Sequence, residues 1–309
     1  MTQDTAIARD ALKKIPMLWC LDESDMKVSR LGGLTNLVFR VDFCGEQYAL
    51  RVPGTGTEEY ISRKDEAVAA REAARAGVAP DVLYFDESSG LMVTRLVDNA
   101  VTMSPALFKE RRGSPARAGI VFRKLHQSDA KFNARFDLFQ MIDGYLKVLA
   151  GKDVELPQGY HDVVGEAEGV RAALAAHPLP VVACHCDPLC ENFLDVDSRM
   201  WIVDWEYSGM NDPMWDLGDL SVEGQFGEAE DEEMIGAYFA GQPTPSERGR
   251  MVIYKAMCDL LWTLWGLIQL ANNNPVDDFR AYALNRFERC KKLMSTSDFA
   301  RHIEAVRRG

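Results

Sequence analysis

Positive charge is scarce in this sequence: 35 Lys and Arg face 47 Asp and Glu, leaving a formal net charge of -12. Phosphate backbones are gripped by clustered Lys and Arg, so no nucleic-acid partner is expected, and a small cationic ligand suits the surplus of acid better. The first residues carry acids and no apolar run fit for a signal peptide, and no membrane span is expected further on. Seven cysteines, an odd count, suit free thiols in the cytoplasm better than a disulfide framework. Repeats and low-complexity tracts are missing as well. What remains, 47% hydrophobic and 27% charged residues, is the composition of an ordered globular protein. At 309 residues the chain exceeds a usual single domain, so two lobes sharing a cleft are expected.

Local patterns come next. Residues 38–52 alternate apolar and polar around Cys44-Gly45-Glu46 and predict a hairpin. Ser62 followed by Asp65 is a near-capping-box, and the Ala-rich run after it stops at Gly77 with Pro80 beyond, predicting a helix with both ends marked. Short strands are expected at 82–85 and 91–96. Helical patterns then occupy 116–128, 137–150, 161–176, 230–239, 246–271 and 279–294, interrupted by a short hairpin at 193–205. Strands with one helix, followed by a helical half with an embedded hairpin, predict an α+β fold of two lobes, 1–98 and 99–309.

The densest chemistry lies in Cys184-His185-Cys186-Asp187-Pro188-Leu189-Cys190-Glu191-Asn192, followed by Val203-Asp204-Trp205-Glu206. A turn at Asp197-Ser198, taken as symmetric about Ser198, would set Asn192 opposite Asp204, roughly 5 Å apart at the Cα atoms. An amide oxygen and a carboxylate are too few for a calcium cage but suit Mg²⁺ that also binds nucleotide phosphates. Asp187 is then left to accept the proton of an attacking hydroxyl, the arrangement phosphoryl transfer requires. The alternative is a zinc site on Cys184, His185, Cys186 and Cys190, although four ligands crowded into one segment wrap poorly into a tetrahedron.

His185-x-Asp187-x-x-x-x-Asn192 with Asp204 resembles the catalytic loop and metal aspartate of eukaryotic-type kinases and aminoglycoside phosphotransferases. The longer text Val203-Asp204-Trp205-Glu206-Tyr207-Ser208-Gly209-Met210-Asn211-Asp212-Pro213, with Asp216 and Glu223, resembles the choline/ethanolamine kinases, bacterial ones above all. The resemblance implies a two-lobed protein kinase-like fold, ATP and Mg²⁺ as cofactors, and transfer of a phosphoryl group to a small cationic alcohol, choline first and ethanolamine second. A thiamine or aminoglycoside kinase and a non-catalytic pseudokinase are the alternatives. A homodimer is compatible with it.

The same resemblance distributes roles. His185, Asp187, Asn192 and Asp204 become the catalytic set, with Asn192 and Asp204 on the metal. Arg51 would hold phosphates, as a guanidinium fork can, with Glu66 as its helix partner; Glu58, Glu59 and Glu72 are the other acids in reach. By its own sequence context Arg51 is equally a solvated residue on an edge strand. Gly33, Thr35 and Asn36 resemble the phosphate-covering turn, although G-x-G-x-x-G is absent. Glu206, Asp216 and Glu223 would serve the acceptor, Asp216 alternatively bracing the catalytic loop. Trp262 and Trp265 share one helix face and pattern as core residues; the resemblance makes them walls of an ammonium site. His126 is expected to be a bonded structural histidine.

Overall fold

Two consecutive residues of positive φ, Cys44 at 50° and Gly45 at 82°, close the first hairpin, between β2 (Leu37–Phe43) and β3 (Glu46–Val52). A type I′ turn needs φ > 0 at both central positions, and it fixes the register from Phe43↔Glu46 to Leu37↔Val52. This computed structural model describes residues 3–16, 26–32, 36–54 and 61–309. Gly33, Thr35, Glu58 and Glu59 therefore lie outside the described residues. β1 (Lys27–Gly32) flanks β2, while β5 (Met92–Arg95) and β4 (Val82–Phe85) lie beyond β3, giving an antiparallel sheet in the order β1-β2-β3-β5-β4.

β3 is consequently an interior strand, which removes the edge-strand alternative for Arg51. Side chains alternate across a strand. Leu50 packs with Phe39, Val41 and Val93 against Ala8, Leu12 and Ile15, on or just after α1 (Gln3–Leu12). Arg51 is turned to the other face, where α2 (Arg63–Arg75) begins, and is only 4% exposed. The Ser62 side chain caps α2 by accepting the Asp65 N–H at 3.4 Å, and Gly77 ends it at φ 68°.

The chain enters its helical half at β6 (Val101–Thr102), which pairs with β8 (Phe193–Asp195), itself paired with β9 (Met200–Ile202). A second, two-stranded ladder joins β7 (Val182–Cys184) to β10 (Gly209–Asn211). These strands sit among α3 (Pro105–Glu110), α4 (Ser114–His126), α5 (Leu138–Leu149), α6 (Tyr160–Ala176), α7 (Met214–Glu223), α8 (Glu228–Phe239), α9 (Pro245–Ala271), α10 (Phe279–Met294) and α11 (Ser297–Arg308). The six expected helices are α4, α5, α6, α8, α9 and α10, each end within two residues of the sequence reading.

Two expectations need correction. The turn residues Asp197 and Ser198 are as expected, but a two-residue turn puts its pairing axis between them, not on Ser198. The register is accordingly Phe193↔Ile202 and Asp195↔Met200, so Asn192 faces Val203, whose N–H it accepts at 2.9 Å. Asp204 is one residue further on, at φ 66°. The second concerns membrane spans: α9, 27 residues long, contains an 18-residue window of mean hydropathy 1.4, enough by length and composition alone to cross a bilayer, yet 83% of that window is buried inside the protein, as in a core helix. Thr244 and Glu247 start it with a reciprocal capping box. Close approach keeps it covered: a Cβ on Gly218 of α7 would lie 2.7 Å from the Met251 carbonyl oxygen.

Candidate active site

The loop that carries Asp187 is held by its backbone. Cys186 has φ 68°, a left-handed conformation uncommon for a residue with a Cβ. The Asp216 carboxylate compensates, accepting the His185 N–H at Oδ2 and the Cys186 N–H at Oδ1, each at 2.8 Å. Trp215 Nε1 donates to the Cys186 carbonyl at 3.0 Å and Ser208 Oγ to that of His185 at 3.1 Å. His126, as expected, is a bonded core histidine, its ring between Asp216 and the Tyr238 hydroxyl. Asp216, fully buried with both oxygens engaged, is a brace for this loop and offers no acid to an acceptor.

His185 is also corrected. It is fully buried, its Nε2 lies 2.9 Å from the Val203 carbonyl oxygen, and burial lowers its pKa, so a neutral imidazole ties the loop to the strand before Asp204. The zinc alternative is not supported: among the described residues no cluster of potential ligands unites Cys184, His185, Cys186 and Cys190. Desolvation raises the Cys184 and Cys186 thiols well above the usual range, keeping them protonated.

Around Asp187 the carboxylates converge. Burial, then the neighbouring charges of Glu223, Asp204 and Glu206, raises its pKa well above the usual range. Asn192 spends its amide N–H on the Asp187 carbonyl at 3.0 Å, which leaves the amide oxygen as the ligand it can offer. Glu66, Asp204 and Glu206 each bring an oxygen within 4.8 Å of the others. Burial and Asp204 push Glu206 up to about 7. An all-oxygen donor set of this charge fits a hard divalent cation such as Mg²⁺.

Arg51 enters the cluster from the sheet. Its Nη1 contacts Glu66, the expected partner, and lies 3.2 Å from Asp204 Oδ1, while Nη2 donates to the Gly90 carbonyl at 3.1 Å. Asn36 Nδ2 lies 3.5 Å from Asp204 Oδ2 and 3.4 Å from Glu206 Oε2, and Asn36 Oδ1 accepts the Gly54 N–H at 3.3 Å.

Rings from the segment after β9, from α9 and from α10 meet one another. Trp265 Nε1 donates to the Tyr207 hydroxyl at 3.1 Å. The Tyr207 and Trp262 centroids are 5.6 Å apart, and Trp265 and Tyr282 5.8 Å apart. Trp262 is 4% exposed and belongs to the main core, so for that residue the core pattern describes the packing; Trp265 is only partly buried against the core. Glu223 is paired with Arg286, which is also 3.3 Å from Asp259. The sequence reading missed three residues of the site: Tyr207, Arg63, and Asp219, whose pKa is raised well above the usual range by burial and then by the charges of Glu223 and Asp187. Asp219 had a signal, since 216, 219 and 223 share one face of α7. Arg63 reaches Glu206 across 143 positions, which no local pattern reports.

A five-stranded antiparallel sheet, a braced acidic loop and a buried Arg–Glu pair define a phosphotransferase of kinase-like fold. Residues 28–251 match the family described as phosphotransferase enzyme family. A choline/ethanolamine kinase family protein from Mesorhizobium loti is 65% identical, with a TM-score of 0.91, over 99% of this chain and 100% of that one. The choline kinase LicA from Streptococcus pneumoniae is 25% identical (TM-score 0.77, 95% and 99% covered), and a LicA in complex with AMP 26% identical (0.75, 94% and 98%). The chain belongs to the phosphotransferase enzyme family, in its choline/ethanolamine kinase branch.

Proposed function

We propose that this protein moves the terminal phosphoryl group of ATP onto the hydroxyl of a small cationic amino alcohol, choline first and ethanolamine second. The observation that carries this reading is the adjacency of Asp187 to two differently built neighbourhoods. One is the oxygen-rich cluster of Arg51, Glu66, Asp204 and Glu206. The other joins partly buried rings to Glu223 through Arg286, which pairs with Glu223 and lies over the Tyr282 ring; the Glu223 charge raises the Asp187 pKa. An ammonium is attracted both by carboxylates and by ring faces. The LicA structure with AMP and the names of the relatives support a nucleotide and this class of acceptor.

In this reading residues 1–98 form the nucleotide lobe and 99–309 the catalytic and acceptor lobe. Asp204 and the Asn192 oxygen would hold Mg²⁺, which when bound would neutralise phosphate charge. Arg51, aligned by Glu66, binds the phosphates; Asn36, with Gly33 and Thr35, covers them. Asp187 accepts the proton of the hydroxyl as its oxygen bonds to the terminal phosphorus and the bond to ADP breaks. A bound divalent metal and an ammonium would set positive charge against the acids that raise the Asp187 pKa, which would favour the carboxylate needed as base. Tyr207 and Trp265 face the ammonium with Trp262 behind them, while Arg286 occupies one face of Tyr282 and pairs with Glu223, whose charge it shares with the acceptor. The site is expected to work in the cytoplasm. Magnesium-dependent ADP release across a panel of amino alcohols tests the proposal; release that no cationic alcohol stimulates overturns it.

A further inference from the structure

Arg63 is the first residue of α2, a position where the helix dipole disfavours a cation, and it is nevertheless 7% exposed. A residue that breaks a local rule while buried among charges points to a role at the site. Its Nη1 lies 2.8 Å from Glu66 Oε2 and 3.2 Å from Glu206 Oε2. With the Glu66–Arg51, Arg51–Asp204 and Asn36 contacts these complete a closed ring: Arg63, Glu66, Arg51, Asp204, Asn36, Glu206 and back to Arg63. The ring links the sheet and α2 to the segment after β9. The turn at Gly90 seats both arginines. Its carbonyl accepts from Arg51, and at φ 79° a Cβ there would fall 2.7 Å from Arg63 Nε.

We infer that Arg63 is a positioning residue for the nucleotide: it holds Glu66 and Glu206 so that Arg51 can leave Asp204 for the phosphates. Glu66 is divided between two guanidinium groups, Oε2 on Arg63 and Oε1 on Arg51. Without Arg63, both Glu66 oxygens are free to close on Arg51 as a two-point fork. Glu206 then faces Asp204 with one cation fewer, which draws Arg51 further into the acids and away from incoming phosphates. Arg63 touches no reacting atom; it acts through Arg51.

The inference rests on the nucleotide half of the proposed function, and the test separates the two. A non-hydrolysable ATP analogue with Mg²⁺, and separately choline, are titrated by calorimetry into the full chain as wild type, Arg63→Lys, Arg63→Met, Glu206→Gln and Arg63→Met/Glu206→Gln, with thermal melting alongside. The expected result for Arg63→Met is an analogue Kd raised about tenfold, worth about 1.4 kcal/mol, with choline binding unchanged. Lys, which keeps the charge but not the fork, should lose about threefold. Removing Glu206 should change the Kd less in the Arg63→Met background than alone, as coupled neighbours do. An analogue Kd within twofold of wild type in a folded variant, or equal losses with choline, overturns the inference. Should Arg63→Met not fold, an unchanged Kd in Arg63→Lys overturns it. A wild type that binds no analogue overturns the functional reading instead.

Discussion

Nε2 of His126 lies 3.0 Å from Oδ2 of Asp216, the same oxygen that accepts the His185 backbone N–H at 2.8 Å. A helix end and the catalytic loop are thereby fastened to one carboxylate, 90 and 31 positions away. Asp216→Asn replaces one acceptor by a donor and leaves a buried N–H facing N–H. Hydrogen bonds to a charged group contribute about 1.5–3 kcal/mol each, so unfolding in denaturant should show a loss of about 3 kcal/mol or more. Turnover per folded molecule should drop as well. A variant as stable and active as wild type would remove Asp216 from the bracing role.

Asp187→Asn keeps the shape of the loop and removes the proton acceptor. Turnover should fall by about 10²-fold to 10⁴-fold, the range for a lost general base, while the Kd for an ATP analogue changes little. Steady-state rates beside equilibrium binding decide this, and a decline of only a few-fold excludes Asp187 as the base.

Activity should vanish in excess chelator and return with Mg²⁺ or Mn²⁺. Asp204→Ala should abolish the metal dependence of nucleotide binding, since it deletes the carboxylate that Arg51 and Asn36 both meet. Fluorescence titration of a nucleotide analogue with and without metal reads the difference; a metal effect surviving in the variant refutes the assignment.

The two tryptophans should part company. Trp262→Leu opens space in the main core and should lower stability by roughly 2–3 kcal/mol, somewhat less than a typical Trp→Ala change. Trp265→Leu removes a more open ring and the donor to Tyr207. The KM for choline should rise about fivefold to thirtyfold with the KM for ATP nearly unchanged. Melting temperatures and both KM values on the same two variants provide the check. Parallel losses in Trp265→Leu would place that residue in the core too.

Elements announced by adjacent residues were legible in the sequence. Cys44-Gly45 marked the first hairpin, and Ser62 and Gly77 bounded α2. Elements defined by distant partners were not. β7 and β10 are three residues each and pair across 24 intervening residues, 185–208, from Cys184↔Gly209 to Val182↔Asn211. The register of β8 on β9 turned on half a residue, a distinction that alternation of apolar and polar side chains does not carry at a polar turn. Spacing singled out Asp187, Asn192 and Asp204 as candidates, although the facing of Asn192 and Asp204 that it implied is not the observed one. Whether Arg51 is solvated or buried depended on which strand lies beside β3, and the Arg63–Glu206 pair depended on the whole fold.

The wrapping of α9 has a consequence for synthesis on the ribosome. α10 and α11, two of the elements that cover it, are encoded after it. A nascent chain that has emerged only to Ala271 therefore carries α9, with its 18-residue apolar window, about 27 Å long as a helix, with part of its sheath not yet made. A message cut short there would yield a polypeptide prone to capture by chaperones or bilayers, so the last two helices shield the protein from mistargeting as well as completing its core.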